Sequence, residues 1–151
     1  MSGMNATTKE DILALAEDYD CTVVFATPKE LLIDYDHVDE DFVSWDKAHR
    51  STLEVIHRRF GIDSIATWPS RGGRLHIEVT LLDRVTRTEG ILMEAALGSD
   101  PLKAVLDMRQ EHRCLFKPKD GKPPEVYIYS LISNRPPGDD GGDERDDNPP
   151  F

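Results

Sequence analysis

The sequence predicts an α+β domain: an antiparallel sheet of β-α-β-β-α-β order in the ferredoxin-like or RNA-recognition-motif layout, with an added N-terminal helix and strand and an added C-terminal strand. Two patterns carry this reading. Leu75, Ile77, Val79 and Leu81 alternate strictly, the period of a half-buried strand, whereas Phe42, Trp45, His49, Leu53, Ile56 and Phe60 recur every three or four residues, the period of a helix. Glycine and proline punctuate the intervals between such runs.

Taken in order, Thr7 and Glu10 have capping-box spacing ahead of Ile12, Leu13 and Leu15, which predicts a short helix over 8–17. Residues 21–26 (CTVVFA) and 31–36 (LLIDYD) are β-rich runs around Thr27, Pro28 and Lys29, a candidate hairpin. The helix over 41–60 ends where Gly61 can take a C′ position. Strands over 62–68 and 74–82 flank a turn at 69–73 and form a second hairpin. A helix over 88–97 stops at Gly98, and Asp100 followed by Pro101 resembles an N-cap and first-turn pair opening another helix to about 110. Residues 113–116 and 125–132 read as the last strands, separated by the turn-forming KPKDGKPP.

The chain has 151 residues, enough for one core, and the ordered domain is expected over 1–133. Residues 134–151, NRPPGDDGGDERDDNPPF, lack the apolar content to offset the entropy of ordering and read as an acidic disordered tail, a solubilising segment or a site for a protein partner. A formal net charge of −11 argues against a protein that coats nucleic acid by neutralising phosphates. It leaves room for phosphate held through a divalent cation, which inverts the local electrostatics. The two cysteines, Cys21 and Cys114, have no zinc-ligand spacing and fit a reducing compartment. With no secretory leader pattern and no apolar run of the ~20 residues that cross a bilayer, the expected location is the cytoplasm, away from membranes.

Alternation along the strands assigns chemistry to one face. Leu31, Ile33 and Tyr35 point one way, leaving Asp34 and Asp36 on the other; Arg74, His76, Glu78 and Thr80 share the polar side of their own strand. In antiparallel pairing of the two strands, Asp34, Asp36, His76 and Glu78 meet on the sheet face not covered by helices. Paired carboxylates suit a hard cation, Mg²⁺ or Mn²⁺, which takes oxygen ligands and completes its shell with water and phosphate. The third acidic ligand is Glu78 by face, or Asp100 by downstream position, although Asp before Pro is also what a helix N-terminus calls for. The segment Ser70-Arg71-Gly72-Gly73-Arg74 offers backbone N–H groups and two guanidiniums to phosphate, with Arg113 joining from the last strand of the unit; a plain glycine-requiring hairpin turn accounts for the same residues.

The run Leu31-Leu32-Ile33-Asp34-Tyr35-Asp36, followed by a strand entering through Ser70-Arg-Gly-Gly-Arg-Leu-His76, resembles the archaeo-eukaryotic primase (primase-polymerase) superfamily. Its catalytic core carries an apolar run ending Asp-x-Asp and then a strand with a small residue, a variable residue and His. The resemblance covers roughly the middle 80 residues. It implies metal-holding roles for Asp34 and Asp36 and a phosphate contact for His76. It also implies Mg²⁺ or Mn²⁺ as cofactor, and a nucleotide triphosphate, with nucleic acid, as partners. The expected function is therefore a metal-dependent nucleotide-binding protein, a minimal nucleotidyltransferase. The alternative is a non-enzymatic acidic interaction protein, of viral or mobile-element origin, built on a degenerate nucleotide-binding fold.

Overall fold

A computed structural model describes residues 8–37, 41–109 and 112–133. The chain is α+β, with six helices and two antiparallel sheets among the described residues. The elements run α1 (Lys9–Asp18), β1 (Cys21–Phe25), β2 (Glu30–Tyr35), α2 (Phe42–Ala48), α3 (Arg50–Phe60), β3 (Ile62–Pro69), β4 (Leu75–Leu81), α4 (Arg87–Ala96), α5 (Pro101–Arg109), β5 (Cys114–Pro118), β6 (Glu125–Ile128) and α6 (Tyr129–Ser133). None of the described helices is long and apolar enough to cross a membrane. The expected tail at 134–151 lies outside the described residues.

The main sheet has the order β2-β4-β3-β6. β2 pairs antiparallel with β4 as alternation demanded, in a register that sets Leu31 opposite Val79, Ile33 opposite Ile77 and Asp34 opposite His76. Leu31, Ile33, Tyr35, Ile77, Val79 and Leu81 thereby share one face with Ile65 of β3. Phe42 and Trp45 of α2, Leu53 and Ile56 of α3 and Leu97 after α4 close over them as the main core. The Trp45 indole N–H donates to the Leu97 carbonyl at 2.8 Å, so the one polar atom of this fully buried ring is satisfied. The expected continuous helix over 41–60 is two helices, because His49 leaves helical geometry at φ −117°, ψ 17° and its ring nitrogen meets the Trp45 carbonyl at 2.9 Å. At the first helix the cap is one residue later than expected, with Thr8 and Asp11 forming the capping box.

Three further expectations are corrected. Residues 21–26 do not form a hairpin with 31–36. β1 pairs instead with β5, Val23 opposite Phe116, in a separate two-stranded sheet. The sheet face carrying Asp34 and His76 is not uncovered, since Leu32 and Trp68 on that face pack with Leu115 of β5 and with Val24 and Ala26 into a second, smaller core. The layers are therefore helices, main sheet and small sheet. Finally, residues 125–132 are strand only to Ile128, where β6 pairs with β3; the chain then turns into α6, whose Tyr129 enters the main core.

The position of β5 has a local cause. In the expected layout it would flank β2, but that edge is already satisfied by the segment joining α4 to α5. The Glu94 carboxylate accepts the Leu32 N–H at 2.7 Å, the Ser99 hydroxyl accepts the Asp34 N–H at 3.0 Å, and the Asp100 N–H donates to the Asp34 carbonyl at 2.8 Å. Glu94 is 2% exposed, and its charge is answered by Arg113 at 2.5 Å and Lys103 at 3.3 Å, with Asp107 completing the cluster at 2.5 Å from Lys103. Gly90 makes room for it: a Cβ there would stand 2.7 Å from the Arg113 guanidinium carbon.

Removing one member of such a network leaves its partners charged, buried and unpaired. Glu94→Ala is expected to destabilise the chain by about 3–5 kcal/mol in denaturant unfolding, far more than Glu89→Ala on the same helix, which removes only a cap interaction worth ~1 kcal/mol. Equal losses in the two variants would refute this account of the β2 edge.

Candidate metal and phosphate site

The site is built where β2 ends. Asp34 lies on β2 and Asp36 one residue beyond it, while His76 sits on β4 directly opposite Asp34. The His76 Nδ1 stands 3.1 Å from the Phe116 carbonyl on β5. A carbonyl only accepts, so Nδ1 carries the proton and the ring is oriented with Nε2 toward Asp34, 3.4 Å from Oδ1. Trp68 braces the imidazole from the side, edge to face at 5.8 Å. The hydrogen bond from one ring nitrogen to a backbone carbonyl thus fixes which nitrogen of His76 faces the Asp34 carboxylate.

Asp34 Oδ1 is buried and among the described residues finds no hydrogen bond of ordinary geometry. Burial alone pushes this carboxyl up. The His76 imidazole, by contact and by charge, and then Arg74 and Lys103, outweigh burial and hold it below the ordinary carboxylate range. Asp34 is thus an ionised carboxylate whose buried Oδ1 has the His76 Nε2 as its neighbour at 3.4 Å.

Arg74 draws the remaining acids together. Its Nε is 3.0 Å from Asp36 Oδ1, and its Nη1 is 3.9 Å from Asp34 Oδ2 and 3.7 Å from Asp100 Oδ2. Asp100 has two duties, because its other oxygen accepts the Leu102 N–H at 3.0 Å and caps α5. Of the two acids considered as third member, the structure places Asp100 beside the pair. Glu78 lies opposite Leu32, two positions along β4 from His76, with its carboxyl against Glu30. Burial, then the Glu30 charge and hydrogen bond, push it up to about 7 against a smaller opposing effect of Lys117.

The other two arginines are committed elsewhere. Arg71 donates to the carbonyls of Tyr19 and of Asp20, the latter at 3.0 Å, tying the end of α1 to the β3–β4 hairpin. Arg113 is 6% exposed and holds Glu94, the Glu30 carbonyl at 2.9 Å and the Thr27 carbonyl at 3.3 Å, so the structure does not bring it to Asp34. The Ser70–Arg74 loop is a closed hairpin in which Ser70 Oγ accepts the Arg74 N–H at 3.0 Å and its carbonyl accepts the Gly73 N–H at 3.2 Å. Gly73 has φ 83°, which favours glycine.

Asp34, Arg74, His76 and Asp100 line a cavity of about 450 Å³, whose remaining wall is largely apolar through Ile12 and Leu15 of α1, Leu102 and Leu106 of α5, and Phe116. An apolar cleft with a few convergent polar groups is the common form of a small-molecule site. Lys103 and Asp107, which also line it, are participants that sequence reading missed. The one sequence signal for them was their i, i+4 spacing as an opposite-charge pair on one helix. Among the described residues no three His, Cys, Asp or Glu side chains are arranged to hold a metal ion. The carboxylates surround the Arg74 guanidinium instead.

No protein-family model, curated protein or solved structure matches the chain.

The Glu78 carboxyl generates a pH test. Its folded-state pKa of about 7 lies above the ordinary value of 4.5, so its contribution is most favourable below pH 4.5 and is lost as pH rises through 7. Because the group is only partly buried, solvent screening reduces the effect. Glu78→Gln is expected to raise stability at pH 8 by roughly 1–2 kcal/mol and to change it little at pH 4.5, by urea unfolding at the two pH values. A gain of the same size at both would remove the Glu30–Glu78 repulsion as its cause.

Proposed function

We propose that this chain is a metal-dependent nucleotide-binding protein of the primase-polymerase kind, a minimal nucleotidyltransferase. The observation that carries the reading is the Asp34–His76 pair: an ionised carboxylate with a buried oxygen, faced at 3.4 Å by an imidazole nitrogen whose ring is fixed through its other nitrogen. The carboxylate oxygens of Asp34 and Asp36 are the donor type that Mg²⁺ or Mn²⁺ takes, such ions commonly being held by one or two carboxylates with water and substrate phosphate filling the shell. Asp34 and Asp36 would hold the ion. When bound, it supplies neutralisation of phosphate charge and activation of an attacking hydroxyl.

The chain's own residues do the rest. Asp34 and Asp36 give the anchoring carboxylates at the open end of β2, and the His76 ring faces the same end through Nε2. Arg74 is the one arginine of the three expected phosphate ligands that stands in the cleft, and its guanidinium matches phosphate geometry in two-point contact. The apolar wall from Leu15, Leu102 and Phe116 excludes water from one side of the bound ligand.

A second reading, a non-enzymatic interaction protein, is favoured by a different observation. α5 exposes Leu102 (63%), Val105 (52%) and Met108 (65%) while burying Lys103 and Asp107, the inverse of a solvent-facing helix. The two readings separate in one experiment. Primer extension with Mn²⁺ and nucleotide triphosphates is expected for the wild type and to fall by at least ~10²-fold in Asp34→Ala/Asp36→Ala. Mn²⁺ at 100 times its dissociation constant is expected to stabilise the wild type alone, by about 2.7 kcal/mol. Absence of both Mn²⁺ and nucleotide binding in the wild type would leave the interaction reading standing.

A further inference from the structure

We propose that the cleft continues past His76 into a second cavity that seats the planar ring of the nucleotide by apolar contact and not by hydrogen bonds to the ring's edge, so that purine and pyrimidine rings are accepted alike. The inference rests on the nucleotide reading above and adds to it where the base lies and how little it is discriminated.

Three features carry it. First, the two cavities are neighbours. The second has a volume of about 340 Å³ and shares Leu15, His76 and Phe116 with the cleft that Arg74 and Lys103 line. A ligand with a charged end and an apolar end can therefore occupy both. Each lies within the ~300–1,000 Å³ common to small-molecule sites.

Second, the wall of this cavity is apolar and rich in rings. Tyr19 ends α1, Cys21 opens β1, and the register of β1 with β5 sets Cys21 opposite Pro118, two residues beyond Phe116. Residues two apart on a strand share a face, so Phe116 and Pro118 line the cavity together, with Leu15 and Tyr19 of the helix end beside them. Aromatic walls favour a planar ring over an alkyl chain, because stacked and edge-to-face contacts add to the area buried. Tyr19 is 63% exposed, which leaves the face of its ring open to a ligand.

Third, the polar side chains of this cavity are engaged by the protein. Arg71 donates to the carbonyls of Tyr19 and Asp20, and Ser70 Oγ accepts the Arg74 N–H. The Cys21 thiol donates to the Tyr19 carbonyl at 3.4 Å, and His76 is held between the Phe116 carbonyl and Asp34. A ring edge here meets side chains whose hydrogen bonds are already made. A pocket that hydrogen-bonds its ligand rejects the wrong one by about 10⁴-fold, whereas an apolar pocket separates ligands by size alone, on the order of 10-fold.

The test uses the full chain, with Mg²⁺ present throughout, and titrates inorganic triphosphate and the triphosphates of adenosine, guanosine, cytidine and uridine calorimetrically. All four nucleotides are expected to bind at least ~10-fold tighter than inorganic triphosphate and within about 10-fold of one another. Tyr19→Ala, which keeps the backbone carbonyl that Arg71 and Cys21 use, is expected to cut the nucleotides' advantage over triphosphate by about 5-fold or more. Should Tyr19→Ala fold poorly by circular dichroism, the wild type gives a separate answer: NMR is expected to show nuclear Overhauser contacts from the ring protons of both adenosine and cytidine triphosphate to the Leu15 methyl groups. Nucleotides that bind no tighter than triphosphate, a wider spread among the four, an unchanged advantage in folded Tyr19→Ala, or missing contacts to Leu15 overturn this inference and leave the phosphate reading intact. Octyl phosphate binding tighter than adenosine monophosphate would assign the cavity to an alkyl chain and overturn it too. Binding of neither nucleotide nor triphosphate overturns both.

Discussion

The carboxylate of Glu94 holds the site together although it is not part of it. β2 is the edge of the main sheet, and an edge strand presents unpaired N–H and C=O groups that must be satisfied or exposed. Glu94 takes the Leu32 N–H, and the chain that follows α4 supplies Ser99 and Asp100 to the next groups along the same edge. This side-chain and loop pairing substitutes for a strand. Its by-product is chemical: the segment that satisfies β2 delivers the Asp100 carboxylate next to Asp34, and Lys103, recruited to neutralise Glu94, places positive charge behind Asp34. Gly98 serves the same end. At φ 92° it turns the chain from α4 toward the edge, and a side chain there would meet Tyr35 and His49 at 3.0 Å.

A second dependence runs through the small sheet. β5 leaves the main sheet to pair with β1, and in doing so sets the Phe116 carbonyl over His76 and Leu115 over Leu32 and Trp68. The imidazole is held between an acceptor on one layer and a carboxylate on the other, so its orientation is a consequence of how the two sheets stack. A strand that looks peripheral by topology therefore fixes which nitrogen faces the site.

What the sequence made legible was local. Alternation in 31–36 and 74–82 suffices to place Asp34 and His76 on one face, because a one-residue slip would turn Leu31, Ile33 and Ile77 out of the core. The three-four spacing from Phe42 to Phe60 likewise marks the helical layer, although the interruption at His49 leaves no mark in that spacing. What escaped were pairings between residues far apart in the chain. Nothing in CTVVFA indicates that it joins residues 114–118 rather than its neighbour across the Thr27-Pro28-Lys29 turn. Arg113 resembles an exposed phosphate ligand until Glu94, nineteen residues earlier, is seen to need it. Glu78 has the expected face but lies at the wrong point along the strand, since alternation sets the side and says nothing about which diagonal neighbour a carboxyl will meet.

The inverted pattern of α5 follows from the same requirement. A nine-residue helix is too short to be stable on propensity alone and must be held by what it packs against. Here the inward face meets charged groups, Glu94 and Arg113, so the residues that bind the helix to the domain are Lys103 and Asp107. The apolar side chains are thereby left to the cavity wall and the surface, where Leu102 and Leu106 stand across from Leu15 of α1. The apolar lining of the cleft and the ionic floor beneath it thus arise from one helix turned over, and the turning is required by the buried carboxylate that closes the edge of β2.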